Sequence, residues 1–598
     1  MKNILFKLLI PTVLIAGLAS CKKSSFLDQT SQDILDQQKV FADSALTLAF
    51  LNNIYAYMGQ DIVPTRSTGA GLINSAKSGS NDYACLEDLT VQSASYYGQP
   101  QADQVTSAST SADAAHLNYY SVYYARIRAC NQYMLNVKTG PLSAQRKQQT
   151  TGEARFLRAW YYAEMVRIFG GVKLVGDTIY SITDEIPYTR NTYKDCIDYI
   201  VKECDAAAAL VPAANVQSPT DYGRITSGAC LALKARMLLT AASPLFNGTP
   251  ATSSATYLPY ICYAATYDPS LWQKAADAFK AVMNLGMYSL YVDNSIPGNG
   301  FRGLFLMRQN SEYILPFMRP PSNEIESWRF PSTRAGGGTN GGSSTPSQNL
   351  VDAFGMSNGA AINDVNSGYD LNNPYVNRDP RFYHTIIFNQ AKLYFSTTQK
   401  MDPVNIYGTV SSSGVYTPQQ DGMQSYHTRT GYYCAKMAND SVVYTVTKDR
   451  VYPLIRYAEI LLGYAEALNE IQGPTTDVYQ LIAQIRNRAG IQPGVDNSYG
   501  LKPGLSKEDM RRIIQNEYNV ELAYEGHRYF DIRRWKIAEV TEASPIQGMQ
   551  ITLQSNGTFL YTRTNAIVTA FITPKMYFQP IPLAETGKSL TMVQNPGW

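Results

Sequence analysis

The chain has 598 residues, with 51 Lys and Arg against 48 Asp and Glu and a formal net charge of +3. That near balance, with no basic run, lacks the electrostatic footprint of a nucleic-acid binder. Four histidines, no H-E-x-x-H and no C-x-x-C disfavour a histidine-rich metal centre, a zinc site or a full disulfide framework. The aromatic balance of 44 Tyr, 20 Phe and 5 Trp points instead to recognition, because tyrosine combines an apolar face with a polar tip.

The chain begins with Lys2 and Lys7, runs through apolar Leu8 to Leu18, and closes on Leu18-Ala19-Ser20-Cys21. A positive start, a short apolar stretch and small residues before the cut predict a lipoprotein signal peptide over 1–20, cleaved before Cys21. The run falls short of the roughly 20 apolar residues that span a bilayer. Acyl chains contribute about 0.8 kcal/mol per buried CH₂, so lipid on Cys21 tethers the mature chain, with 21–43 as the leash. The other seven cysteines are an odd number, and no later segment is long and apolar enough to span.

Beyond the tether, apolar spacing of three and four predicts helices in one large body. Residues 152–169 align Ala154, Leu157, Tyr161 and Met165 and stop at Gly170-Gly171. Over about 226–242, Ala229, Ala232 and Ala235 offer a neighbouring helix close approach, and Pro244 ends the run. Residues 271–285 group Trp272, Ala276, Phe279 and Met283, with Gly286 as the C-terminal cap. The stretch from about 290 to 445 is rich in Gly, Pro, Ser, Asn and Tyr, with strand-like pieces such as Tyr383 to Phe388. Its interleaved aromatics argue against disorder and for a functional loop region. Helical spacing returns over 451–472 through Leu454, Ala458, Leu461, Ala465 and Leu468, stopped by Gly473-Pro474. A further helix starts at Ser506, which forms a capping-box pattern with Asp509, and runs through Ile513 and Leu522 to Gly526. Helix pairs come at irregular spacing, without the fixed period of about 34 residues of tetratricopeptide repeats.

These segments carry a family resemblance. GEARFLRAWYYAEMVRIFGGVKL (152–174), ITSGACLALKARMLL (225–239), TPSQNLVDAFGMSNG (345–359) and NRDPRFYHTIIFN (377–389) are followed by IRYAEILLGYAEALNE (455–470) and IRNRAG (485–490). NEYNVELAYEGHRYFDIRRW (516–535), QPIPLAE and the terminal VQNPGW complete the series. In this order they resemble the SusD/RagB family of outer-membrane lipoproteins. Two places depart from its pattern: Tyr518 and Asn519 follow Glu517 where arginines are usual, and Lys22, Lys23, Ser24 and Ser25 replace the acidic residues that often follow the lipidated cysteine.

The resemblance implies a mainly α, SusD-like fold with four tetratricopeptide-like helix pairs plus an irregular, loop-rich region with short strands. It implies one body over 44–598, the ligand-binding region at about 290–445 and a C-terminal family region at about 446–598. It further implies a surface-facing outer-membrane protein that closes as a lid over a SusC-like TonB-dependent transporter while delivering an oligosaccharide. Such a protein needs no cofactor or metal and is no enzyme. Peptide capture by the same lid, and a helical-repeat scaffold without a ligand, are the alternatives.

Glu517, Glu521 and Glu525 share one helix face at i, i+4 and i+8, close enough to suggest a glycosidase pair. Acids on one face cannot easily flank a sugar, however, and Arg528, Arg533 and Arg534 stand nearby as ion-pair partners, so these acids and His527 read as structural. Gly587-Lys588-Ser589 lacks the earlier glycine of a phosphate loop, since Pro582 sits there. The run Gly336 to Gly342 reads as a flexible loop that can adapt around a ligand. Sugar rings need aromatic platforms beside polar side chains. Two segments combine these: Ser80 to Tyr97, with Asn81, Asp82, Tyr83, Tyr96 and Tyr97, and Asn323 to Phe330, with Trp328, Arg329 and Phe330. These eight residues are the candidate ligand contacts.

Overall fold

The computed structural model describes residues 37–59, 85–95, 106, 108–112, 117, 119–181, 183–213, 221–334, 341–395, 398–424, 427–439 and 446–598. Cys21, the signal peptide and most of the tether lie outside the described residues. Twelve helices matter here. They are α1 (Ser44–Tyr55), α2 (Tyr120–Asn136), α3 (Ala144–Phe169), α4 (Tyr193–Ala208), α5 (Ser227–Ala242) and α6 (Ser270–Asn284). They continue as α7 (Glu324–Arg329), α8 (Pro380–Thr385), α9 (Tyr457–Gln472), α10 (Thr476–Arg488), α11 (Lys507–Glu521) and α12 (Arg528–Arg534).

Each long helix packs on the next from α2 to α6. The helix α6 then packs directly on α9, which also holds α10 and α11. The helical stack is therefore continuous across the loop-rich insertion between α6 and α9. Ala229, Ala232 and Ala235 of α5 are fully buried, as close helix approach requires. Side-chain caps set the starts: Ser143, Thr226 and Ser506 accept from the backbone N–H three residues on. The helix α3 begins at Ala144, earlier than expected, because Ser143 caps it and its first turns are polar and invisible to apolar spacing.

Eight strands matter for the site and its support: β1 (Ser93–Ser95), β2 (Tyr313–Ser322), β3 (Ser344–Pro346), β4 (Gly408–Val410), β5 (Tyr416–Pro418), β6 (Lys448–Arg456), β7 (Ile546–Leu553) and β8 (Phe559–Ile567). β1 pairs antiparallel with β3, β2 with β6, and a four-stranded sheet runs β8-β7-β4-β5. Two expectations are corrected. Residues 451–456 form the end of β6, not the start of a helix. Val451 to Arg456 are buried on both faces of the strand, so their apolar run carries no two-fold alternation to distinguish it from a helix. Within Tyr383 to Phe388 only Ile386 and Ile387 form a strand, paired with Tyr433–Cys434. The preceding residues are helical because the Asp379 carboxylate accepts from the Arg381 N–H at 2.9 Å and Pro380 occupies the first turn.

The seven cysteines of the mature body beyond Cys21 are buried free thiols. Among the described residues no helix is long and apolar enough to cross a membrane.

The contact between α6 and α9 depends on Gly463. A Cβ there would lie 2.2 Å from Cζ of Phe279, itself buried. In an open helix Gly→Ala stabilises by about 1 kcal/mol. Here overpacking of roughly 1–3 kcal/mol opposes that gain. Gly463→Ala should therefore lower the urea midpoint, and an unchanged or raised midpoint would contradict the packing.

Candidate ligand-binding face

The insertion is held to the helices by buried charge. Glu521 accepts from Arg456 at 2.8 Å, from Arg381 at 3.0 Å and from Arg488. Glu517 accepts from Arg381 at 2.6 Å and Arg486 at 3.0 Å. Glu525 meets Arg456 at 2.6 Å and Lys436 at 2.9 Å, and Glu312 meets Arg456 and Arg488, each at 2.6 Å. Burial alone pushes the Glu521 carboxyl up, but Arg488, Arg456, Arg381 and Lys436 together hold it far below the usual range. The helix α11 ends at Glu521 and not at Gly526, since Tyr524 and Gly526 take positive φ, so Glu525 lies beyond it; all three acids are nevertheless occupied by cations and shielded from solvent.

The structural reading of the triad holds, but the partners differ from those expected. Arg534 pairs with Glu466 and Asp531. Arg533 donates to the carbonyls of Tyr529 and Met576. The triad's cations come from residues remote in sequence, which one-dimensional proximity does not reveal. His527 is partly buried with Nε2 3.8 Å from Glu459, and desolvation, then the nearby Arg236, push its imidazole well below its ordinary value.

The residues after α11 connect this network to β1. Gly526 N–H donates to Glu87 at 2.8 Å, and the Tyr524 hydroxyl donates to Ser93 Oγ at 2.9 Å. Beneath β1, the Asp88 carboxylate accepts from Cys85 N–H at 2.9 Å and from the Ser93 and Ser344 hydroxyls. β1 and β3 then pair with Ser93 opposite Pro346, Ala94 opposite Thr345 and Ser95 opposite Ser344. On the other side, Ser343 N–H donates to the Trp328 carbonyl at 2.7 Å, tying α7 to β3. Glu326 of α7 accepts from Asn439 N–H at 2.7 Å and pairs with Arg450 of β6.

The described parts of the two candidate segments therefore meet. Trp328, Arg329 and Phe330 are 5%, 2% and 3% exposed, a correction to the exposed platform expected of them. The cause is the tie to β3 and the hydrogen bond from Arg329 to the Lys436 carbonyl, which turn α7 inward. Asn81, Asp82, Tyr83, Tyr96 and Tyr97 lie outside the described residues. In the chain, Tyr96 and Tyr97 directly follow Ser95 of β1. Beside this strand the buried Gln92 amide and Ser95 hydroxyl find no partner among the described residues. Asp88 escaped the sequence reading, although Cys85-x-x-Asp88 forms a capping box with cysteine in place of serine or threonine.

A continuous helical stack carrying a loop-built face is the class of protein this geometry defines. A family model described as the SusD family matches residues 309–598, and one described as "Starch-binding associating with outer membrane" matches 26–239. A SusD-like protein of Bacteroides ovatus is 27% identical over 241 residues, 39% of either chain. SusD-like protein P2 of Formosa agariphila is 39% identical over 83 residues, 14% of this chain and 16% of its own. The matched stretches thus span well under half of these relatives. A solved SusD-like protein from Bacteroides fragilis superposes with a TM-score of 0.73 at 24% identity, covering 94% of this chain and 98% of its own. A SusD-like carbohydrate binding protein of the same organism gives 0.69 at 22%, covering 93% and 100%. The protein belongs to the SusD/RagB family, and it has the mainly α fold of those structures.

Asp88 yields a pH prediction. Burial pushes its carboxyl up to about 6, against the hydrogen bonds that favour the charged form. Between the unfolded value of 3.8 and about 6 the native state keeps a proton that the unfolded chain has lost. Its contribution to stability is therefore largest in acid and falls as pH rises through about 6. Urea unfolding of wild type and Asp88→Asn should show the wild-type advantage shrinking by roughly 2 kcal/mol between about pH 4.5 and pH 7. A pH-independent difference would contradict the assignment.

Proposed function

We propose that the protein is a glycan-binding lipoprotein of the outer membrane, anchored through Cys21 and facing the cell surface. It captures oligosaccharides and passes them, as a lid, to a SusC-like TonB-dependent transporter, and it catalyses no reaction itself. The observation that carries this reading is the β1–β3 pair, which joins residues 252 positions apart in sequence, such as Ser93 and Thr345. Through it, the described part of the first segment is joined to β3, which Ser343 ties to Trp328 of the second, and this supports placing the ligand beside both. In this reading Tyr96 and Tyr97, next in the chain after β1, are the stacking candidates, Asn81, Asp82 and Tyr83 the candidate hydroxyl partners, and the buried Trp328, Arg329 and Phe330 act as support. The descriptions of the relatives agree with this chemistry: one family model names starch binding with the outer membrane, and one fold neighbour is a carbohydrate binding protein.

Titration of the mature chain with neutral oligosaccharides tests the reading. Tyr97→Ala should weaken binding about tenfold or more. Trp328→Ala should do the same, with its fold checked by circular dichroism. Unchanged affinity in both variants would sink the site. Binding of peptides but not sugars would replace the ligand class, and release of reducing ends from a polysaccharide would overturn the non-catalytic assignment. The protein should also copurify with a TonB-dependent transporter, and its failure to do so would remove the lid role.

A further inference from the structure

The helical framework carries a second cleft that shares no residue with the β1–β3 face. It encloses about 430 Å³ between α9, α11 and the chain from Ala242 to Trp272. That volume lies within the roughly 300–1,000 Å³ of small-molecule sites. Three aromatics line it among charged and amide side chains: Trp272 and Trp535, both buried, and Tyr267, 53% exposed. The loop bearing Tyr267 is fixed in place. Asn247 donates to the Asp268 carbonyl at 2.9 Å and accepts from the Asp268 N–H at 2.7 Å. Gly248, at φ +89°, leaves room for Tyr267, since a Cβ there would lie 2.8 Å from the tyrosine Cβ.

The charges in this cleft are already paired. Glu470 takes Arg511 through both oxygens, at 2.6 and 2.7 Å. Glu466 takes Arg534 and the Trp535 indole N–H. What remains unpartnered is neutral. Asn469 lines the cleft at 1% exposure, and its Oδ1 has no partner among the described residues. The indole N–H of Trp272 and the amide of Gln515 also make no hydrogen bond among the described residues.

Aromatic walls accept the C–H faces of a sugar ring, and neutral donors and acceptors meet its hydroxyls, while no unpaired charge is left to select an acid or an amine. We infer that this cleft is a second saccharide site, taking a short neutral oligosaccharide on the helical framework. It extends the proposed function without depending on the face described above.

Calorimetry and tryptophan fluorescence on the mature chain, with neutral glucan, xylan, galactan and mannan fragments at millimolar concentration, test it. Wild type should bind two equivalents of at least one fragment. Tyr267→Ala, at an exposed position that leaves the fold intact, should weaken one equivalent about tenfold and spare the other. Trp272→Phe should remove the fluorescence change of that same equivalent, and Tyr97→Ala should weaken only the other. A single equivalent sensitive to Tyr267→Ala alone would support this cleft and refute the β1–β3 face. Binding unchanged by Tyr267→Ala would overturn the inference and leave the proposed function standing. No binding of any fragment would overturn both.

Discussion

Glu312, Asp379, Glu517, Glu521 and Glu525 are buried together with Arg381, Lys436, Arg456, Arg486 and Arg488, and the fold tolerates them only as a complete set. Burying an ion costs several kcal/mol even after relaxation, and only good geometry with further hydrogen bonds offsets this. The geometry here is of that kind: Arg456 alone reaches Glu312, Glu521 and Glu525. Lys436 shows how finely the balance is set. Burial brings its ammonium down to about 8, against the pull of Glu525. Removing one member leaves an uncompensated charge, a loss of about 3–5 kcal/mol for buried pairs in general.

The network's value is architectural. Glu312, Asp379, Arg381 and Lys436 come from the insertion, and Arg486, Arg488, Glu517 and Glu521 from α10 and α11. The insertion is thereby docked on a stack that α6 and α9 keep continuous. From the network the constraint passes outward through Tyr524 and Gly526, both at positive φ, to Ser93 and Glu87. A non-glycine residue at such a φ persists only where its surroundings over-determine it, and Tyr524 is fully enclosed. The β1–β3 pair is accordingly a buried element held in place on a charged foundation.

Helices are legible because burial on one side leaves a 3.6-residue signature and caps mark the ends, as at Ser506. The family motifs made the fold legible as well. The start of 451–472 was misread because β6 is buried on both faces and carries no alternation. The inward turn of Trp328 is hidden for a different reason: the hydrogen bond that ties it comes from Ser343, remote from it in the sequence. Likewise, the triad of glutamates announced an ion-pair network, but its cations, Arg381 and Arg456 among them, are contributed by tertiary structure alone. Composition singled out two segments, and the tertiary links between their described parts, the β1–β3 pairing and the Ser343–Trp328 hydrogen bond, carry no signal in one dimension.

The dependence of the face on the buried charge can be measured by hydrogen exchange on Glu521→Gln, which leaves Arg381, Arg456 and Arg488 short of one negative charge. Faster exchange is expected at 379–388, 432–439, 85–95 and 344–346, with α2 to α5 unchanged. Uniform loss of protection across the chain, or no change at 85–95 and 344–346, would contradict it.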